Sequence, residues 1–171
     1  GVVNLGGIAN VTYLSKDGAI LAFDTGPANA LLDDWMVQNT DHAYDANGAL
    51  AAQGQVDEAA LAALMQHDYF AKAPPKSLDR LDFDLAPVAH LSAADGAATL
   101  TAFSAQALAA GLAQCPQQPS RLILCGGGRH NASLCQHISR VSGCAVVLCD
   151  DLGWAGDALE AQAFAWLAAR S

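Results

Sequence analysis

Basic residues are scarce in this chain. Eight Lys and Arg stand against seventeen Asp and Glu, a formal charge of −9, and the eight do not cluster. The basic face with which nucleic-acid binders neutralise phosphates is therefore missing, and no nucleic-acid partner is expected. No apolar run reaches the roughly 18 residues that span a bilayer, and no basic-then-apolar leader is present. A cytoplasmic protein with no membrane partner is the expectation. The five cysteines, at 115, 125, 135, 144 and 149, form no C-x-x-C pair and no repeating framework, so they read as reduced, buried small hydrophobes. A nucleophilic Cys125 served by His130 is the minor alternative, because a reactive thiol needs a neighbouring base or helix start to lower its pKa. The histidines show no metal spacing, and no zinc site is expected. An initial Met is missing too: Gly1 leads straight into an apolar strand, which suggests a chain cut from a longer one. No internal repeat is visible.

What is present fits a single folded domain over residues 1–171. Apolar residues make up 53% and charged residues 15% of the chain, ordinary to slightly greasy for a globular protein. The length suffices for a proper core.

Val2-Val3 and Val11-Thr12-Tyr13 are β-branched and aromatic, as pleated strands prefer, and Gly6-Gly7 between them predicts a hairpin turn with positive φ. Residues 19–23 predict a third antiparallel strand. Asp24-Thr25-Gly26-Pro27 then reads as strand exit and turn, with Pro27 in the first turn of a helix over about 28–38. Residues 39–53 read as a loop with a short helical piece, and a helix starts near Asp57. Pro74-Pro75 predicts an extended surface loop through Arg80. Ser92 and Asp95 have capping spacing ahead of a long helix to about 113. Leu122-Ile123-Leu124-Cys125 is a continuous apolar run, expected to be a strand buried on both faces, and residues 145–148 a second such strand. Helices are expected over about 132–141 and 158–169. The sum is an α/β fold: a mixed five-stranded sheet with three antiparallel N-terminal strands and helices on both faces.

Ligands of open sheets collect at the carboxyl ends of strands. Three polar or glycine-rich stretches fall there: Gly6-Gly7, Asp24-Thr25-Gly26, and Gly126-Gly127-Gly128 with Arg129, His130 and Asn131. Glycine admits a ligand close to main-chain N–H groups, so a phosphate or nucleotide is a natural guest. The plain alternatives are a tight hairpin without ligand, a loop in which Asn131 only caps the next helix, and an Asp24 that caps the helix after it.

Five segments taken together, Asn4-Leu5-Gly6-Gly7-Ile8-Ala9-Asn10-Val11-Thr12, Phe23-Asp24-Thr25-Gly26-Pro27-Ala28-Asn29, Pro74-Pro75-Lys76-Ser77, Cys125-Gly126-Gly127-Gly128-Arg129-His130-Asn131 and the run from Glu160 to Ala168, resemble the anhydro-N-acetylmuramic acid kinase family. The resemblance runs from first residue to last and implies the C-terminal lobe of an actin-like ATPase (ribonuclease H-like) fold. It also implies that the other lobe, with the first phosphate loop and the catalytic aspartate, lies outside this chain. The family opens the 1,6-anhydro bond of anhydro-N-acetylmuramic acid with water and phosphorylates O6 from ATP, giving N-acetylmuramic acid 6-phosphate for cell-wall recycling.

The resemblance further implies roles. Asn4, Gly6, Gly7 and Asn10 belong to the second phosphate hairpin. Gly126, Gly127 and Gly128 form the nucleotide-side loop, with Arg129 and Asn131 beside the adenosine. Asp24, Thr25 and Gly26 sit between phosphate and sugar, Asp24 being also the one metal ligand nominated for Mg²⁺. Lys76, Ser77 and Glu160 are substrate contacts, and Glu160 also a helper of the absent base, although a solvated carboxylate on a helix and solvated loop cations are the plain alternatives. A homodimer is implied as well. A kinase for another small substrate, and a non-catalytic actin-like module that binds a nucleotide or a partner, remain open on the residues alone.

Overall fold

The computed structural model describes residues 1–170. Five strands form one mixed sheet: β1 (Val2–Leu5), β2 (Ile8–Leu14), β3 (Ile20–Pro27), β4 (Arg121–Cys125) and β5 (Ala145–Leu148), in the order β3-β2-β1-β4-β5. β1 pairs antiparallel with β2, and β2 with β3, while β4 runs parallel to both β1 and β5. Five α-helices accompany the sheet: α1 (Asn29–Asn39), α2 (Glu58–Met65), α3 (Ala93–Leu112), α4 (Ala132–Ser142) and α5 (Leu159–Ala168).

Alternation decides which face of the sheet is core. Val3, Leu5, Ala9, Val11, Phe23, Leu122 and Leu124 point to one face and meet Leu108 and Leu112 of α3 and Leu134 and Ile138 of α4. Each of these buried Val, Leu, Ile and Phe side chains contributes roughly 1.5–3 kcal/mol. Their in-between neighbours Val2, Asn4, Asn10, Thr12 and Ile123 are only half-buried. Cavity-lining residues place the start of α5 over that second face. β4 and β5 therefore differ from the two-faced burial expected of them: Arg121 and Ala145 are exposed and Val146 to Leu148 half-buried, because β5 is the sheet's last strand.

α3 is the hub, and its alanine richness has a steric reason. Small residues let three neighbours approach it closely: Gly96 lies under the Trp35 indole, Ala107 against Gly26, and Gly111 against Thr25. A Cβ on Gly111 would stand 2.5 Å from the Thr25 Cγ2. Ser92 caps the helix, its Oγ accepting from Asp95 N at 3.1 Å. A second core of α1, α2 and α3 side chains encloses Tyr69, Phe83 and Phe103.

The structure revises two expectations near the N-terminus. β3 does not end at Phe23 but continues to Pro27, pairing Gly26 with Ala9 and Pro27 with Ile8 across a register shift at Ala9/Asn10. Pro27 closes a strand and starts no helix. Nor do Gly6 and Gly7 have positive φ. Their turn is shaped instead by α1, whose leading N–H groups donate to it: Ala28 and Ala30 to Gly7 O at 2.9 and 3.1 Å, and Asn29 to Gly6 O at 3.0 Å. Those are the donors a helix start leaves unsatisfied.

Candidate nucleotide site

The carboxyl ends of β1 and β4 lie side by side, with Asn4 in register with Cys125. The chain leaves β4 through Gly126 at φ 77°, a left-handed conformation that only glycine adopts cheaply. A Cβ there would also stand 2.9 Å from the Leu5 backbone. At Gly128 it would meet the Leu5 Cβ at 2.7 Å. Packing thus explains glycine at 126 and 128. It does not explain Gly127, which has nothing within 4 Å, no positive φ and an exposed position.

Gly127 stands where two cavities of about 550 Å³ each meet. The first is lined by Asn29, Leu32 and Asp33 of α1, the Tyr44–Asn47 segment, Gly127, Gly128, His130 and Asn131. The second has Val2, Asn4, Asn10 and Thr12 of the sheet's open face as floor, and Trp154, Gly156, Asp157 and Leu159 opposite. Gly6 and Gly7 line neither, but Asn29 draws their turn to the same corner, its Nδ2 donating to Leu5 O at 3.1 Å and Gly6 O at 2.8 Å. Among the described residues the N–H groups of Gly6, Gly7, Gly127 and Gly128 donate to nothing. Those of Gly127 and Gly128 open a short 3-10 turn and are unpaired for that reason. Free amides beside unclaimed space are what an anionic oxygen requires.

Other expected residues are committed elsewhere. The Arg129 side chain is 2% exposed and brackets the loop from behind. Its Nε donates to Asp150 at 2.6 Å, Nη1 to Gly126 O at 3.0 Å, and Nη2 pairs with Asp157 at 2.8 Å. The Asp150 hydrogen bond, foremost, raises the guanidinium pKa further, and Arg129 in turn holds both carboxyls below their ordinary range. Arg129 therefore holds the loop from behind and lines neither cavity. Asn131 caps α4, its Oδ1 accepting from Leu134 N at 2.9 Å, and it also lines the first cavity.

Asp24, Thr25 and Gly26 line neither cavity. The Asp24 carboxylate accepts from Leu78 N at 2.9 Å, and its backbone N–H donates to Lys76 O at 3.0 Å. It caps no helix, since Ala28 precedes α1 without a side-chain cap. Thr25 is a core residue, 1% exposed, with its hydroxyl donating to Ala9 O at 3.2 Å. Gly26 is there so that α3 can approach: a Cβ would meet the Ala107 Cβ at 2.6 Å. These three therefore stand apart from both cavities, Thr25 and Gly26 in the packing of the chain and Asp24 against the 76–78 segment. Lys76 turns inward as well, its Nζ donating to Tyr69 O at 3.1 Å and lying 4.6 Å from that ring's centre. Burial, then Lys72, lowers its pKa. Ser77 is exposed beside it. The Glu160 side chain lies outside the described residues.

Cys125 is no activated thiol: burial, then Cys149, pushes it up to about 12. All five cysteines are unbridged. Among the described residues no group of three or more His, Cys, Asp or Glu is placed to hold a metal ion, and no helix is long and apolar enough to cross a membrane.

Sequence reasoning missed the far wall of the first cavity. Asp45 is buried and its carboxylate accepts from Leu50 N at 2.8 Å and Ala51 N at 3.0 Å. Asn47 and Gly48 follow with φ of 58° and 70°. The Asn-Gly pair was the available signal, as a turn dipeptide. Asp33 of α1 also lines this cavity, and its pKa is raised to about 6, chiefly by burial, then by Asp34.

The family model described as anhydro-N-acetylmuramic acid kinase matches residues 1–171. Curated relatives with that name include proteins of Rhizorhabdus wittichii, 54% identical over 99% of this chain and 47% of the relative, and Rhodospirillum rubrum, 54% identical over 99% and 45%. A third, from Caulobacter vibrioides, is 49% identical over 99% and 46%. The chain spans about half the length of the curated relatives it matches. Among solved structures it is similar to the activator of the 2-hydroxyisocaproyl-CoA dehydratase from Clostridium difficile with bound ADPNP, at TM-score 0.55 and 15% identity, over 86% of this chain and 52% of that one. That likeness concerns the fold.

Proposed function

Since the chain belongs to the anhydro-N-acetylmuramic acid kinase family, we propose that residues 1–171 are one domain, the ATP-binding C-terminal lobe of a two-lobed sugar kinase. The whole enzyme opens the 1,6-anhydro bond of anhydro-N-acetylmuramic acid. Water adds at C1, the C1–O6 bond breaks, and O6 takes the γ-phosphoryl group of ATP, leaving ADP and N-acetylmuramic acid 6-phosphate. Such a step serves cell-wall recycling in the cytoplasm.

The observation that carries this reading is Gly127, a glycine unexplained by its own chain, with free amides on its loop and a cavity on either side. Phosphoryl transfer asks mainly for positioning and charge stabilisation. The N–H groups of Gly6, Gly7, Gly127 and Gly128 hold the phosphate oxygens, the first cavity takes the nucleoside, and the floor made by Asn4 and Asn10 faces the sugar side. Glu160 contacts the sugar or supports the base, as the family resemblance implies. Mg²⁺ travels with ATP and neutralises phosphate charge; Asp24, with one carboxylate oxygen held by Leu78 N, is the one ligand nominated in this chain, and the other carboxylate ligands come from the other lobe.

The base and the first phosphate loop belong to that lobe too, so residues 1–171 alone bind without turning over. Mass spectrometry of reaction mixtures tests this. The intact protein should convert the anhydro-sugar and ATP to the 6-phosphate, and the isolated chain should not. Transfer by the chain alone, or preference of the intact protein for an unrelated acceptor in competition, contradicts the reading.

A further inference from the structure

We propose that Asp33 is the residue that reads the sugar of the nucleotide, accepting hydrogen bonds from the two vicinal hydroxyls of a ribose in the first cavity and so selecting ribonucleotides over deoxyribonucleotides. The inference rests on the nucleotide reading above and adds a specificity determinant to it.

Position comes first. Asp33 lies one turn along α1 from Asn29, about 6 Å by helix rise, and Asn29 is the residue that ties the Gly6 turn to the glycine loop. Both line the cavity that starts at Gly127 and Gly128. A triphosphate tail on the free amides therefore brings the next group of the ligand, its pentose, abreast of Asp33. The base then falls beyond, toward the Tyr44 ring and Asn47.

Availability comes second. Three other polar side chains of that wall are spent, Asp45 on Leu50 N and Ala51 N, Asn131 on Leu134 N, and Asn29 on Leu5 O and Gly6 O, while Tyr44 and Asn47 at its far end are neutral. His130 faces Asp157 at 3.6 Å, and Arg80 pairs with Asp34 at 2.6 Å. Asp33 makes no hydrogen bond or ion pair among the described residues, although it is half-buried in the cavity. A half-buried carboxylate without donors is poorly solvated, and its pKa, raised to about 6 by burial and Asp34, agrees.

Charge then selects the guest. A carboxylate repels phosphate, which confines the anionic tail to the glycine end. What it lacks is a pair of neutral donors, and a cis-diol offers two to one carboxylate. Hydrogen bonds to a charged group are the stronger kind, and a site built around a hydroxyl discriminates against ligands without it.

Calorimetric titration of the intact two-lobed protein with ATP, 2′-deoxy-ATP and 3′-deoxy-ATP tests this. The wild type should bind each deoxynucleotide about 10-fold more weakly than ATP. Asp33→Ala should weaken ATP to the level of the deoxy forms and erase the difference, whereas Asp34→Asn, outside the cavity wall, should preserve it. Melting curves of both variants establish that they are folded. Equal binding of ATP and the deoxy forms by the wild type, or discrimination that survives in Asp33→Ala, overturns the proposal and leaves the nucleotide reading intact. Failure of the wild type to bind any of the three overturns both.

Discussion

The three glycines at 126, 127 and 128 are chemically identical and physically different. Gly126 combines φ 77° with a backbone neighbour 2.9 Å from where a Cβ would sit. Gly126→Ala should therefore destabilise the protein by about 2 kcal/mol or more, read as a fall in Tm of roughly 4–8 °C for a domain of this size. Gly127 has no such burden. Asp33 supplies a titration at the same scale. Its folded pKa, about 6 with Asp34 and Arg80 as the charged groups acting on it, lies above the ordinary carboxylate value. A raised carboxyl stabilises the fold below the unfolded pKa and loses that contribution as pH rises through about 6. Asp33→Asn, which stays neutral, should therefore be more stable than the wild type at pH 7, by on the order of 1 kcal/mol after allowing for solvent screening. Denaturant melts should show the gain vanishing by pH 4; an equal gain at both pH values contradicts the assignment.

At the scale of elements, the strongly periodic stretches were legible and the junctions were not. Ser92 and Asp57 announced their helices because a side-chain oxygen ahead of an apolar repeat satisfies orphan N–H groups, and both do so here. β3 ran four residues past its expected end because pairing with Ile8 and Ala9 outweighed the turn chemistry of Asp-Thr-Gly-Pro; that is a tertiary effect no local pattern carries. The Arg129 bracket was invisible for the same reason, since Asp150 and Asp157 reach it from 21 and 28 positions away. Arg129→Met should lower Tm by about 5 °C and weaken nucleotide binding through the loop it holds. Acid acts likewise: Asp150 and Asp157 are depressed by Arg129, so their contribution is present above the ordinary carboxylate pKa and fades as pH falls below about 4. A melting profile from pH 7 to pH 2.5 whose acid limb shrinks in Arg129→Met, leaving the part due to Asp17 and Asp95, checks the assignment. Asn131→Ala, which removes the α4 cap, should cost about 1 kcal/mol in denaturant melts.

At the scale of the molecule, the chain is organised around a shared corner where β1, β4 and α1 end or begin. The glycine runs that mark that corner were readable because ligand approach and tight packing both demand glycine; which demand applies at which position was not, because it depends on neighbours such as Leu5 and Asn29 that only folding supplies. The same limit separated Asp33, which the fold turns into a cavity, from Asp24, which it ties to Leu78. The central claim is that the space at Gly127 is kept for phosphate. Titrating the intact protein with a non-hydrolysable ATP analogue, wild type against Gly127→Val, tests it most directly. Tm should be unchanged, since nothing of the chain lies within 4 Å of the new side chain's root, and affinity should be at least about 10-fold weaker. Unchanged affinity in a Gly127→Val protein that melts normally contradicts it.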